Sequence, residues 1–228
     1  KFFQRIHAWA GVQGDVVLDV PVRSDAKVDW AFVSSLSRRP FLERLLESGS
    51  GRQDLTVWSP YFSEDLARLL AGIAEVAPGL GKISLVPDIK DWVRETAGRM
   101  RISQGNLDAL AKSGVPHEFL LDDGFLASCA DKPRFSHAKV WHTQQRVGIG
   151  SWNVSFAALG LGGECNVEAG FVLDRHLEKG KLEVMQDPSQ FVMGDDELTR
   201  ERASLEALEL PAVAIRVAYD WKDCEWSW

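Results

Sequence analysis

Apolar positions recur along this chain in two periods, close to two and close to 3.6, and the switching between them predicts its layout. Residues 14–23 (Gly-Asp-Val-Val-Leu-Asp-Val-Pro-Val-Arg) predict a strand, with Pro21 near its edge or end. Between Asp29 and Ser48, residues Phe32, Val33, Leu36, Phe41, Leu42, Leu45 and Leu46 return at roughly helical spacing, which predicts helix. Pro40 splits that stretch or opens a second helix after Ser37. Gly49-Ser-Gly-Arg-Gln then breaks the pattern.

From there strands and helices alternate. Leu55–Trp58 predicts a short strand, followed by a helix over Glu64–Val76. Leu66, Leu69, Leu70 and Ile73 share one face of that helix, and Ser63 is placed to cap it. Lys82–Val86 predicts a strand, Asp88–Lys112 is largely helical, Val115–Leu121 predicts a strand, and Asp122-Asp123-Gly124 a turn. A hairpin over 135–150, a helix beginning within Ser151–Leu159 and a strand over 166–173 complete the series. Such alternation predicts an α/β fold, a mixed β-sheet flanked by helices. Beyond it, an acidic helix-prone stretch at 195–209 precedes a strand-like alternation at Val213, Ile215 and Val217, then Trp221, Trp226 and Trp228. The chain divides into an N-terminal strand and helix segment (1–53), a central domain (54–175), and an acidic linker opening a C-terminal β module (176–228). The opening residue, Lys1, suggests a processed product or a piece of a longer protein, and 1–53 has the character of a join to an upstream half.

Composition narrows the function classes. A hydrophobic content of 45% and a charged content of 26% describe a soluble globular chain, and no apolar run approaches the ~18–20 residues that span a bilayer. The net charge of −7 disfavours non-specific coating of nucleic acid and docking on anionic membranes, but allows a local basic cleft. Much of the acidity lies at 178–209, including Asp195, Asp196, Glu197, Glu201 and Glu206. Cys129, Cys165 and Cys224 show no paired spacing, which argues for a reducing compartment and against structural zinc. A cytoplasmic location is the expectation.

The chemistry concentrates in Ser136-His-Ala-Lys-Val-Trp141 and Gly150-Ser-Trp-Asn153. Residues two apart on a strand share a face, so His137 pairs with Lys139, and a hairpin brings Ser151 and Asn153 to the same end. A nucleophile or base, a fixed cation and two small hydrogen-bonding groups suit the binding and attack of a phosphate. The arrangement HxK…GSxN resembles the half-site of the phospholipase D superfamily, in its nuclease and phosphodiesterase branch. Asn166-Val-Glu168-Ala-Gly-Phe-Val172 resembles the strand carrying that family's acidic residue, and Leu55–Ser63 its opening strand and turn, so the likeness covers roughly 54–175. Where the usual pattern continues to an Asp, this chain has Gln144, and His7, His117, His142 and His176 lack a lysine two positions on.

The resemblance implies a phospholipase D-like half-domain and a metal-independent phosphodiesterase, a nuclease cleaving DNA or RNA without cofactor or metal. His137 would form a phosphohistidine intermediate. Lys139 would neutralise a phosphate oxygen, and Ser151 and Asn153 would hydrogen-bond the phosphate or orient the lysine. Glu168 would bind the second imidazole nitrogen. Trp141 and Trp152, flanking these residues, would touch the substrate. The second HxK half-site would come from a homodimer partner or an upstream half-domain. Two other readings remain: an inactive binding or scaffold module of a nucleic-acid-processing assembly, and a phospholipid phosphodiesterase or transferase.

Overall fold

The computed structural model describes residues 30–35, 40–47, 52–89, 98–122, 137–162, 166–174, 181–206, 218–220 and 225–227. They form two compact units, divided between Met193 and Gly194. In the larger unit the elements run β1 (Trp30–Ser34), α1 (Phe41–Leu46), β2 (Gln53–Ser59), α2 (Leu66–Val76), β3 (Leu80–Pro87), α3 (Gln104–Ser113) and β4 (His117–Asp122). The hairpin β5 (Val140–His142) and β6 (Val147–Gly150) follows, then α4 (Phe156–Leu159), β7 (Ala169–Leu173) and β8 (Leu182–Val184).

All eight strands join one mixed sheet in the order β1-β7-β6-β5-β2-β3-β4-β8. β2, β3 and β4 are parallel, and the other neighbours pair antiparallel. The expected α/β architecture is therefore the observed one. β1, from before residue 54, and β8, from beyond residue 175, supply the two edges, so the sheet is not confined to 54–175. The strand read at 14–23 and the alternation at 213–217 lie outside the described residues.

Parallel strands are covered on both faces, so they run nearly continuously apolar. Leu55 and Val57 of β2 and Ile83 and Leu85 of β3 are buried together with Leu66, Leu69, Leu70 and Ile73 of α2. The periodicity that marked the apolar face of α2 is thus the core face. Its cap differs from expectation: Asp65, not Ser63, accepts from the Arg68 N–H, and Asn106 of α3 accepts from the Leu66 N–H at 3.1 Å. Two carboxyl or amide oxygens in succession satisfy the otherwise orphaned amides of the first turn.

The helical reading of 29–37 is corrected for its described part. Trp30–Ser34 pairs antiparallel with β7 along its full length, and Phe32 and Trp30 pack their rings edge-on against Phe171, at centroid separations of 5.6 and 5.4 Å. Cross-strand aromatic contacts on one side and burial of Val33 on the other outweigh a spacing that mimics a helix. The helix begins only after Pro40, as α1.

α1 is fixed by what it covers. Phe41 stacks on Trp152 at 3.9 Å and meets Trp141 edge-on at 5.6 Å. Gly148 of β6 makes room: a Cβ there would lie 2.7 Å from the Phe41 ring. Arg146, at the turn before β6, donates to the Arg44 carbonyl at 2.8 Å and to the Glu47 carbonyl, and pairs with Asp174 at 2.5 Å. A cation at these carbonyls ties the end of α1 to the β5–β6 turn.

In the smaller unit α5 (Asp195–Glu206) carries Asp195, Asp196 and Glu197 in its first turn, where the helix dipole favours negative charge. β9 (Ala218–Asp220) and β10 (Glu225–Ser227) form an antiparallel pair. Among the described residues no helix is long and apolar enough to cross a membrane.

Candidate active site

The strand registers bring distant residues to one edge of the sheet. Val140 pairs with Trp58, near the carboxyl end of β2, so the residues leading into β5 emerge there. The Gly150 N–H donates to the Lys139 carbonyl at 3.3 Å, and Gly150 pairs with Gly170. His137, Lys139, Ser151 and Glu168 therefore collect at the edge where Tyr61 and Asp88 leave β2 and β3. This is the carboxyl edge of the parallel strands, where α/β sheets place their ligands.

His137 and Lys139 meet directly. Lys139 Nζ lies 3.0 Å from Nδ1 and 2.9 Å from Nε2 of the ring, and donates to the His137 carbonyl at 3.1 Å. An ammonium has protons only to give, so the imidazole nitrogen receiving one must be unprotonated. The imidazole is accordingly held below the ordinary histidine value, by partial desolvation first and the lysine charge second, with Asp88 acting in the opposite sense. His137 itself stays exposed. Lys139 is 6% exposed, and its burial lowers its proton affinity against the opposing charge of Glu168. A neutral imidazole beside a half-desolvated ammonium can attack an electrophile whose oxygens carry negative charge.

Glu168 reaches the site by its backbone. Its N–H donates to Ser35 Oγ at 2.9 Å, the Ser35 N–H donates to its carbonyl at 2.9 Å, and Asn166 Nδ2 lies 3.4 Å from its Oε1. Its buried carboxylate favours the charged form of Lys139.

Asn153 is placed by stitches to the loop after β2. The Ser63 N–H donates to the Val154 carbonyl at 2.8 Å, and the Val154 N–H donates to Ser59 Oγ at 3.3 Å. Asn153 Oδ1 is buried without a hydrogen-bond donor among the described residues. Such an acceptor is costly by about 1–3 kcal/mol unless a ligand or solvent satisfies it. Ser151 also ties two strands together. Its hydroxyl accepts from the Ala169 N–H at 3.0 Å and faces the Ala169 carbonyl at 3.4 Å, closing β6 onto β7.

The substrate contacts expected of Trp141 and Trp152 are corrected. Trp141 is 0% and Trp152 1% exposed, the Trp141 indole N–H donates to the Trp152 carbonyl at 3.0 Å, and Phe41 covers both rings. Neither presents a face to a ligand. They brace the hairpin that carries His137 and Lys139.

Three site residues escaped the sequence reading. Asp88, 5% exposed, pairs with Arg101 at 3.4 Å. The Arg101 guanidinium lies 5.2 Å over the Tyr61 ring, and Tyr61 meets His137 edge-on at 6.1 Å. A recess of about 140 Å³ opens between Trp58, Asp88, Asp122 and Ala138. Asp88 follows directly on the carboxyl end of a parallel strand, a placement that carried a usable signal. Arg101, reached only through the fold, carried none.

No family model matches this sequence, and no curated protein matches it. Among solved structures, a phospholipase D family member, Nuc from Salmonella typhimurium, is similar with a TM-score of 0.36 at 18% identity, over 64% of this chain and 83% of that one. NucT from Helicobacter pylori is similar with a TM-score of 0.33 at 18% identity, over 78% of this chain and 95% of that one. At this level of similarity neither structure assigns a residue or an activity to this chain.

Proposed function

We propose that this protein is a phosphodiesterase of the phospholipase D type that cleaves nucleic acid without a metal ion. The observation that carries the reading is the buried Lys139 ammonium set 2.9–3.0 Å from both ring nitrogens of an exposed, neutral-leaning His137. The order of HxK, GSxN and an acidic strand residue, with all three at one sheet edge, supports it. Positive charge for the phosphate comes from Lys139, so the chemistry has no need of a Lewis acid.

In the step that the resemblance implies, an imidazole nitrogen of His137 forms a bond to phosphorus as the bond to the departing oxygen breaks. Lys139 neutralises a non-bridging oxygen, and Asn153 holds the phosphoryl group. The departing oxygen takes its proton from a second histidine, contributed by another copy of this chain or by an adjoining half-domain. Water then attacks the phosphohistidine, returning His137 to its neutral form. Nucleic acid is the substrate class we assign, from the likeness to the nuclease branch.

The test is cleavage of labelled single- and double-stranded oligonucleotides in excess EDTA, with His137→Ala as control. Cleavage that survives EDTA and is lost in the variant is the expected result. Intact oligonucleotides, with hydrolysis of phospholipid vesicles by the same preparation, would transfer the reading to a lipid phosphodiester. Inertness toward both would leave a binding module.

A further inference from the structure

We propose that Asp88, held by Arg101, is the carboxylate that orients His137 and balances its charge, while Glu168 serves Lys139. The inference rests on reading His137 as the attacking base. It departs from the expectation that the acidic residue of the β7 strand partners the imidazole.

Four observations converge on it. Asp88 is almost wholly buried where the chain leaves β3, with Oδ2 at 3.4 Å from Arg101 Nη1. Arg101 lies over the Tyr61 ring at 5.2 Å, and Tyr61 meets the His137 ring edge-on at 6.1 Å and 77°. The ring is therefore braced by a chain of contacts that ends in a buried ion pair. Asp88 and Ala138, the residue between His137 and Lys139, also share the walls of the 140 Å³ recess. Lastly, the fields divide the same way: Asp88 favours the charged form of His137, and Glu168 that of Lys139.

Among the described residues, the charges acting on the imidazole are Lys139, on its own segment, and Asp88, at the end of β3. Arg101, ahead of α3, pairs with Asp88, Asp122, at the end of β4, accepts from the Trp58 indole, and Glu168, ahead of β7, acts on Lys139. Tyr61, after β2, meets the ring edge-on. Lys139 opposes protonation and Asp88 favours it. When the imidazole bonds to phosphorus through one nitrogen and keeps a proton on the other, the ring is cationic until the phosphoryl group departs. A carboxylate nearby stabilises that intermediate more than it stabilises the neutral ring, which is the condition for a gain in rate. Asp88 acts through position and field, so it is a positioning residue.

The test follows the His137 ring by NMR titration of the histidine-labelled full chain. It compares wild type, Asp88→Asn, the double variant Asp88→Asn/Arg101→Gln and Glu168→Gln, each shown to be folded by circular dichroism. The double variant is included because a single substitution strands a buried guanidinium. The His137 midpoint should fall in Asp88→Asn, fall less in the double variant, and stay at the wild-type value in Glu168→Gln. Oligonucleotide kcat should drop about 10- to 100-fold in Asp88→Asn with KM little changed, and Asp88→Glu should recover part of it. An unmoved midpoint in both Asp88 variants, or one moved by Glu168→Gln alone, overturns the proposal. Midpoints that shift as expected in the Asp88 variants, together with a wild type that cleaves no phosphodiester, refute the proposed activity and leave the Asp88 pairing intact.

Discussion

Replacing Lys139 by methionine separates what the site costs the fold from what it does. The side chain is 6% exposed, and its burial lowers its proton affinity even against the opposing charge of Glu168. The folded state therefore favours the neutral amine more than the unfolded chain does. For a lysine shifted downward, the unfolded state binds more protons as pH rises through the folded midpoint toward 10.5, so stability increases across that window. At neutral pH the protonated Lys139 is thus a net burden on folding, which methionine of similar length removes. Replacing both members of a buried ion pair by apolar groups is often neutral or stabilising by about 1–4 kcal/mol. Removing Lys139 alone also leaves the buried Glu168 carboxylate without its cation, which takes back part of that gain, so about 1 kcal/mol is expected. In a domain of this size that raises Tm by about 2–4 °C. Catalysis should move the other way, since losing one preorganised electrostatic group costs about 10²–10³ in kcat. His137, relieved of the adjacent ammonium, should titrate at higher pH, so the acid limb of the rate profile moves up from its position below 6.5. Calorimetry and oligonucleotide cleavage from pH 5 to 9 measure both sides. A loss of more than about 1 kcal/mol would make Lys139 a structural ion-pair member. Activity within tenfold of wild type would remove it from phosphate stabilisation.

Other substitutions probe the scaffold under the site. Trp152→Ala removes a 1%-exposed indole stacked on Phe41 and should cost about 3–5 kcal/mol in urea unfolding, with KM unaltered in the molecules that remain folded. A large rise in KM without loss of stability would return Trp152 to the substrate. Gly170→Ala places a methyl group 2.6 Å from Gly150 Cα and 2.6 Å from the Trp152 ring, and also against the Ile149 carbonyl. Backbone cannot yield as a side-chain tip does, so unfolding should become easier by about 3 kcal/mol or more, with the β6–β7 ladder exchanging its amide hydrogens first. Wild-type stability in that variant would show that β6 and β7 are spaced differently.

Local pattern was sufficient where one element satisfied itself. The four leucine and isoleucine positions of α2 declared its core face at helical spacing, because that face meets a sheet whatever the rest of the chain does. The hairpin was legible for the same reason over β5 and β6, but His137 and Lys139, read as strand residues sharing a face, stand just ahead of β5 and outside its pairing. β1 was misread because Phe32, Val33 and Leu36 fit a helix, and only pairing with β7, 135 or more residues away, makes Trp30–Ser34 a strand. Trp141 and Trp152 adjoin the site residues in sequence yet point into the core, where Phe41, from a separate helix, closes over them.

The sequence by itself determined the alternation of strands and helices, the mixed sheet, and the HxK…GSxN residues, because side-chain period and residue chemistry are local. Only the tertiary structure brought Asp88 and Glu168 within electrostatic reach of His137 and Lys139. Glu168 was legible as an acid in the right strand, but Asp88 and Arg101, from the two ends of the connection after β3, meet Tyr61, from the connection after β2, only in the fold. Electrostatic fields depend on distance in space and on burial, and neither is set until β2, β3 and β5 lie side by side.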